Sequence, residues 1–147
     1  MDVRGASRTA LLATVSYLAV AAMTPNPSMA EVRTDGTLGR RVQLQGGDIT
    51  IGADLGQRRG GNLFHSLEKF DVESKGGVTF TGPSSVKNVI SRVIGGEPSS
   101  INGTLASAIP DTDFYLLNPA GILFGPNARL DVKGSFHATA ARQLSSA

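Results

Sequence analysis

The chain has 147 residues, of which 40% are apolar, 5% aromatic and 18 glycine, the balance of one turn-rich globular domain. Its 14 basic and 12 acidic residues leave a formal net charge of +2, and it has no cysteine. That excludes a strong field for nucleic acid or anionic membrane, and with it disulfides, thiolate metal sites and a cysteine nucleophile.

The first 30 residues have the pattern of a secretory signal. Arg4 and Arg8 precede an apolar run from Ala10 to Met23, short for a membrane span of about 20 residues. Pro25 and Pro27 break the run. Ser28 and Ala30 then place small residues before a cut between Ala30 and Glu31. The expected organisation is a cleaved signal over residues 1–30 and one domain over 31–147.

Beyond the cut, Asp35-Gly36 is a turn signal. Val42–Leu44 and Ile49–Ile51 alternate as short strands across Gly46-Gly47-Asp48, which allows a hairpin. Gly52–Gly61 is a polar loop in which Arg58 and Arg59 read as solvated charges. Its glycines lack the Lys-Ser/Thr pair of a phosphate-binding loop. Asn62–Val72 (NLFHSLEKFDV) has Leu63, Leu67 and Phe70 at helical spacing. It is short and bounded by glycine pairs, so it reads as an extended stretch with a tight bend, ending in a strand around Phe70–Val72. His65 has no carboxylate partner nearby in the sequence and reads as a packed or turn-capping residue.

Val78–Phe80 is a strand stopped by Gly82-Pro83. Val86–Gly96 fits either a helix face or two strands with a corner. Ile101–Leu105 is another short run. Asp111 and Asp113 flank Thr112 beside Pro110 and read as turn formers; a Ca²⁺ or acid–base pair is the alternative. Phe114–Leu117 and Ile122–Phe124 are strands around Asn118-Pro119-Ala120-Gly121. Pro119 fixes φ there, and Gly121 is free to take positive φ for a type II turn or a bulge. Gly125-Pro126-Asn127 makes a second break before Leu130 and Val132.

The β-runs beginning near 78, 101 and 122 are separated by 23 and 21 residues. Spacing near 20 with little helix suits a β-solenoid, each coil stacking its strands on the previous one; a sandwich accounts for the runs equally well. The edges of a short solenoid would be unpaired, with the segment before residue 78 available as a cap and the edge around Leu130–Ala138 open.

Three blocks then stand in order: NLFHSLEKFDV, SRVIGGEPSSINGTL (Ser91–Leu105) and LLNPAGILFGPNARLDVKGSFHATAA (Leu116–Ala141). Together they resemble the N-terminal domain of the filamentous haemagglutinin family, the exoproteins of two-partner secretion, over about residues 35–141. The family often has Asn at the position of Ala120 and Thr at that of Ile94. The resemblance implies an all-β, right-handed parallel β-helix with an N-terminal cap. It implies a secretion signal recognised in the periplasm by the soluble domains of a dedicated outer-membrane β-barrel transporter. It further implies an adhesin- or haemagglutinin-like exoprotein, secreted or displayed on the bacterial surface, that meets host or neighbouring cells through downstream regions. The signature positions it carries over are Asn62, Leu63, Phe64, His65 and Ser66, then Asn118, Pro119 and Gly121. No catalytic residue, metal or cofactor is expected. Because family members usually continue for many coils, a chain stopping at Ala147 is expected to be a fragment or a truncated form. Two other classes compete: a passive surface solenoid or adhesive fragment without a transport role, and a β-helical polysaccharide-active enzyme. The scattered acidic residues speak against the enzyme.

Overall fold

The computed structural model describes residues 29–140; the apolar run Ala10–Met23 of the expected signal lies outside them. In chain order the elements are β1 (Ala30–Thr34), β2 (Gln43–Gln45), β3 (Asp48–Ile51), a single 3₁₀ turn (Ala53–Leu55), β4 (Gln57–Arg59) and β5 (Asn62–Val72). They continue with β6 (Gly77–Phe80), β7 (Asn88–Val93), β8 (Ser99–Ile101), β9 (Thr104–Ser107), β10 (Asp113–Leu117), β11 (Ile122–Phe124), β12 (Arg129–Asp131) and β13 (Phe136–Thr139).

These strands wind into a β-solenoid of about four turns. One parallel column is β3, β6, β9 and β12, and a second is β5, β7, β10 and β13. A third runs from the C-terminal end of β5 through β8 to β11. Within the first column Asp48 pairs with Gly77, Gly77 with Thr104 and Thr104 with Arg129. The coil is therefore 29, 27 and 25 residues long in successive turns, longer than the sequence spacing suggested. The run at 78 belongs to the first column and those at 101 and 122 to the third, so the 23-residue step joined strands that do not stack.

The strand β5 organises the first coil. Leu63, His65 and Leu67 face inward, and the phase then shifts so that Phe70 and Val72 do. A strand has a side-chain period of two, so the shift marks the expected bend. Before it β5 pairs with β7; beyond it β5 pairs with β1 and touches β8. Gly95 packs against the Glu68 carbonyl at this corner, leaving no room for a Cβ.

The exposed edge of β5 is closed by antiparallel strands. The strand β4 pairs over Asn62–Phe64, β1 pairs over Leu67–Val72, and β2 lies outside β1. This is the N-terminal cap, and it removes an edge that could template aggregation. It also rules out the hairpin that the spacing of Val42–Leu44 and Ile49–Ile51 allowed. The strand β2 joins the cap, whereas β3 opens the first parallel column, because Ile49 and Ile51 must face the core. Val86–Gly96 is resolved as one strand, β7, with Val89, Ser91 and Val93 inward and no helix.

Aromatic rings run through the interior along the coil axis. Phe70 lies 6.1 Å from Phe80, Phe80 4.8 Å from Phe114, and Phe114 5.9 Å from Phe136. Burying each of the first three is worth about 1.5–3 kcal/mol against exposure, which ties successive coils into one core.

Candidate functional site

The two signature blocks occupy different coils. Asn62–Ser66 is the first half of β5, and Asn118–Gly121 is the corner after β10. Most of their side chains point away from solvent. Leu63 is fully buried in the core, His65 is 1% exposed, Ser66 2% and Asn118 0%. Asn62 and Phe64 are half-buried and Pro119 is exposed.

Asn62 Oδ1 accepts from Asn88 Nδ2 at 2.9 Å, on the residue stacked on it in the next coil. His65 lies edge-on to Phe80, with centroids 5.3 Å apart, and beyond a weak approach to the Leu55 backbone neither ring nitrogen makes a well-formed hydrogen bond. Burial lowers its pKa to about 4, against a weaker upward pull from the Leu55 backbone and the Asp54 carboxylate. Gly56 lies so close that a Cβ there would press on the imidazole and on the Phe64 carbonyl. Beside His65 in the next coil, Ser91 is likewise buried with an unpartnered hydroxyl.

Ser66 fastens the cap to the first coil. Its hydroxyl donates to the Asp35 carboxylate and accepts from Arg92 Nε at 3.0 Å, and its carbonyl accepts from Asp35 N–H at 3.1 Å. Asp35 Oδ1 also accepts from Thr37 N–H at 2.9 Å and Thr37 O–H at 2.7 Å. Burial alone would raise the Asp35 pKa, but the bonds from Ser66 and Thr37 outweigh it and lower it.

Asn118 holds three coils together. Its Nδ2 donates to the Glu97 carbonyl and the Ser99 hydroxyl, each at 2.9 Å, in the preceding coil. Its backbone N–H donates to the Thr139 carbonyl in the following coil at 2.9 Å. Its Oδ1 accepts from Ala120 N–H at 2.9 Å, and its carbonyl accepts from Gly121 N–H at 2.9 Å. That closes a β-turn with Pro119 at the second position, where its fixed φ is favoured. The positive φ, +121°, falls on Gly121 at the fourth position. Gly121 thus takes the positive φ expected of it, but Ala120 at the third position does not, so the turn closed by Asn118 and Gly121 is not type II. Pro119 and Ala120 rim a shallow hollow of about 280 Å³ with Val93 and Ile94.

The two blocks do not converge on a single cavity. A polar hollow of about 610 Å³ lies along the first column between Lys75, Thr104 and Arg129, and no signature residue lines it. Among the described residues there is no group of three or more His, Cys, Asp or Glu able to hold a metal ion. Asp113 spends its carboxylate on Ser135 N–H at 2.8 Å, which lowers its pKa. Ala30, on one side of the expected cut, is buried at the start of β1, and its carbonyl accepts from Gly46 N–H at 3.2 Å. Glu31 on the other side pairs with Lys69 at 3.0 Å.

Sequence reading passed over the partners that give these blocks their roles. Asp35 was legible only as a turn former; the Asp-Gly-Thr order marks a local side-chain turn, but nothing in it points to Ser66, 31 residues away. Ser99 and Glu97, which receive Asn118, carry no sequence signal of their own.

Comparison with protein families gives a match to the TPS secretion domain over residues 30–147. The chain belongs to the TPS secretion domain family. It is thus an N-terminal domain of the two-partner secretion type, consistent with the filamentous haemagglutinin resemblance. A comparison with curated proteins found no match. The family match begins at Ala30, where β1 of this TPS domain begins, and covers the cap and all the coils.

Proposed function

We propose that this TPS domain directs an adhesin- or haemagglutinin-like exoprotein across the bacterial outer membrane through a dedicated β-barrel transporter, after a signal has been cut between Ala30 and Glu31 in the periplasm. The observation that carries the reading is the family match over 30–147 on a capped solenoid. The signature residues then divide by exposure. Leu63, His65, Ser66 and Asn118 serve export by building the capped first coil and the third-coil corner. Asn62, Phe64 and Pro119 remain available to a partner. Lack of cysteine suits the same task, since no disulfide can lock the chain before it crosses.

The test is export itself. The full chain is produced with and without its partner transporter, and the medium is assayed for the released protein and for its N-terminal residue. Release that depends on the transporter, with Glu31 first, is the expected result. Release at the same level without the transporter rejects the secretion role. Asn118→Ala and His65→Ala are followed in parallel with their unfolding midpoints. Loss of export in a variant whose fold is intact would show that the residue acts on the partner rather than on the fold.

A further inference from the structure

The buried imidazole of His65 sits where the cap meets the first coil. On one side it meets the Phe80 ring edge-on, and the fully buried Ser91 of the next coil stands beside it in register. On the other side it faces the 3₁₀ turn and the glycine that follows. A Cβ on Gly56 would stand 2.9 Å from both Nδ1 and Cε1 of the ring. A surface hollow of about 230 Å³, between Leu38, Gln57, Arg59 and Arg92, has His65 in its lining. The shortest way from the ring to solvent is therefore past the turn and β4.

The cover on this side is thin. Across residues 53–59 only Leu55 is buried. The strand β4 has no buried residue and holds β5 through three register pairs, from Gln57–Phe64 to Arg59–Asn62. Within the turn the backbone bonds are local, from Leu55 N–H to the Gly52 carbonyl and from Gly56 N–H to the Ala53 carbonyl. Its side-chain ties lie in solvent. Arg40 meets Asp54 at 3.2 Å with both side chains 70% exposed, and Arg58 donates to the Ser85 hydroxyl at 2.6 Å. The ring's other neighbours are locked into the stack. Phe80 is fully buried between Phe70 and Phe114, and Ser91 lies in β7, which is paired on both edges.

We infer that His65 is an acid-release latch of the cap: protonating its ring lifts the 3₁₀ turn and β4 off β5 while the coils stay stacked. A buried imidazolium without partners has to reach water, and this segment is the part of its surroundings that yields most easily. The charged groups around the ring do not replace that water. The turn offers the exposed Asp54, already paired with Arg40. The strand β4 offers Arg59, and β7 offers Arg92 across the hollow, both cationic. Arg92 and Asp35 are joined through the Ser66 hydroxyl, and β6 offers only the Phe80 ring. Once the segment lifts, the ring titrates near its ordinary value of about 6.5, against about 4 in the closed cap. The lifted state thus binds more protons, and its population relative to the closed one rises about twentyfold from pH 7 to pH 5. Opening uncovers the outer backbone edge of Asn62–Phe64, which β4 otherwise occupies.

The experiment follows amide hydrogen exchange of the folded full chain at pH 7 and pH 5, corrected for the intrinsic pH dependence of exchange, with and without low urea. The β4–β5 amides of residues 57–64 should lose about twentyfold in protection at pH 5, with little dependence on urea, because a local opening exposes little surface. Amides of β11, at the far end of the stack, should change by less than twofold where they exchange by local fraying. His65→Leu and His65→Gln, neither of which titrates, should both abolish the loss at residues 57–64; two variants guard against one that disturbs the fold. Protection at residues 57–64 that is unchanged at pH 5 overturns the latch. So does a loss as steeply dependent on urea as that of the β9 amides in the core, since acid would then open the whole solenoid. A loss that persists in both variants assigns the opening to another group and overturns the proposal as well.

Discussion

Protonating His65 inside the solenoid costs stability, and the cost can be worked out. The imidazole is 1% exposed, packs on Phe80 and makes no well-formed hydrogen bond, so burial holds it neutral with a pKa of about 4. The unfolded chain releases it to about 6.5. Between these values the unfolded state binds more protons than the folded one, so stability rises with pH. The contribution is complete above about pH 6.5 and is lost as pH falls toward 4. Integrating the two titrations gives a loss of about 2 kcal/mol at pH 5 and a limit of about 3.4 kcal/mol below pH 4. For a domain whose total stability is about 5–15 kcal/mol, that is a large share. Urea unfolding at pH 7 and pH 5 measures it, and the midpoint should fall by about 1 M for an m-value near 2 kcal/mol/M. His65→Leu removes the titrating group while keeping an apolar side chain, so its midpoint should move far less over the same interval. The carboxylates with lowered pKa, Glu31, Asp35 and Asp113, start from 4.5, 3.8 and 3.8 and lose their contribution only as pH falls below those values. The His65 interval is therefore separable from theirs. Equal losses from pH 7 to pH 5 in wild type and His65→Leu would refute the reasoning.

Asn118→Ala strands the Glu97 carbonyl, the Ser99 hydroxyl and the Ala120 N–H, and should cost about 2–4 kcal/mol in urea unfolding. Asn118→Asp should not rescue it, since a carboxylate cannot donate to the Glu97 carbonyl. Gly103→Ala should destabilise by about 1–3 kcal/mol, because a Cβ there would meet the Glu73 and Gly76 carbonyls; a thermal midpoint equal to wild type would contradict that packing. Gly121→Ala would bring its Cβ only to ordinary contact with Pro98 at 3.9 Å but has a φ of +121°, so calorimetry should show only a backbone cost of about 1–2 kcal/mol.

What could be read before the structure was whatever residues dictate locally. Pro119 and Gly121 announced a corner, the glycine pairs bounded β5, and Ile122–Phe124 coincides with β11. The coil length could not be read, because each coil contributes strands to different columns and similar apolar runs recur in all of them. Val86–Gly96 stayed ambiguous between helix and strand because Val89, Ile90 and Val93 satisfy both periods; pairing with β5 and β10 decides it. The cap was foreseen in the segment before residue 78, but its strand pairing was hidden for a different reason. Val42–Leu44 and Ile49–Ile51 look alike, and only Ala30–Thr34, with its own alternate burial, gives β2 a partner other than β3. An outward row on the second column is just as hard to foresee. Phe64, Ile90 and Tyr115 lie in runs where every apolar residue reads as core, and only the register shows that they form a line on the outside.

The burial of the signature bears on how such a domain can be recognised. The strand β5 meets β1, β4, β7 and β8, so its first half cannot be altered without disturbing both the cap and the first coil. Asn118 bonds to Glu97 and Ser99 behind it and to Thr139 ahead of it, so it carries the register from one coil to the next. One block therefore starts the stack and the other extends it. A partner meeting the folded domain would find little of Leu63, His65, Ser66 or Asn118 to touch. What those residues fix is the strand phase, since a slip of one residue in β5 or β10 would turn the outward Phe64 or Tyr115 into the core.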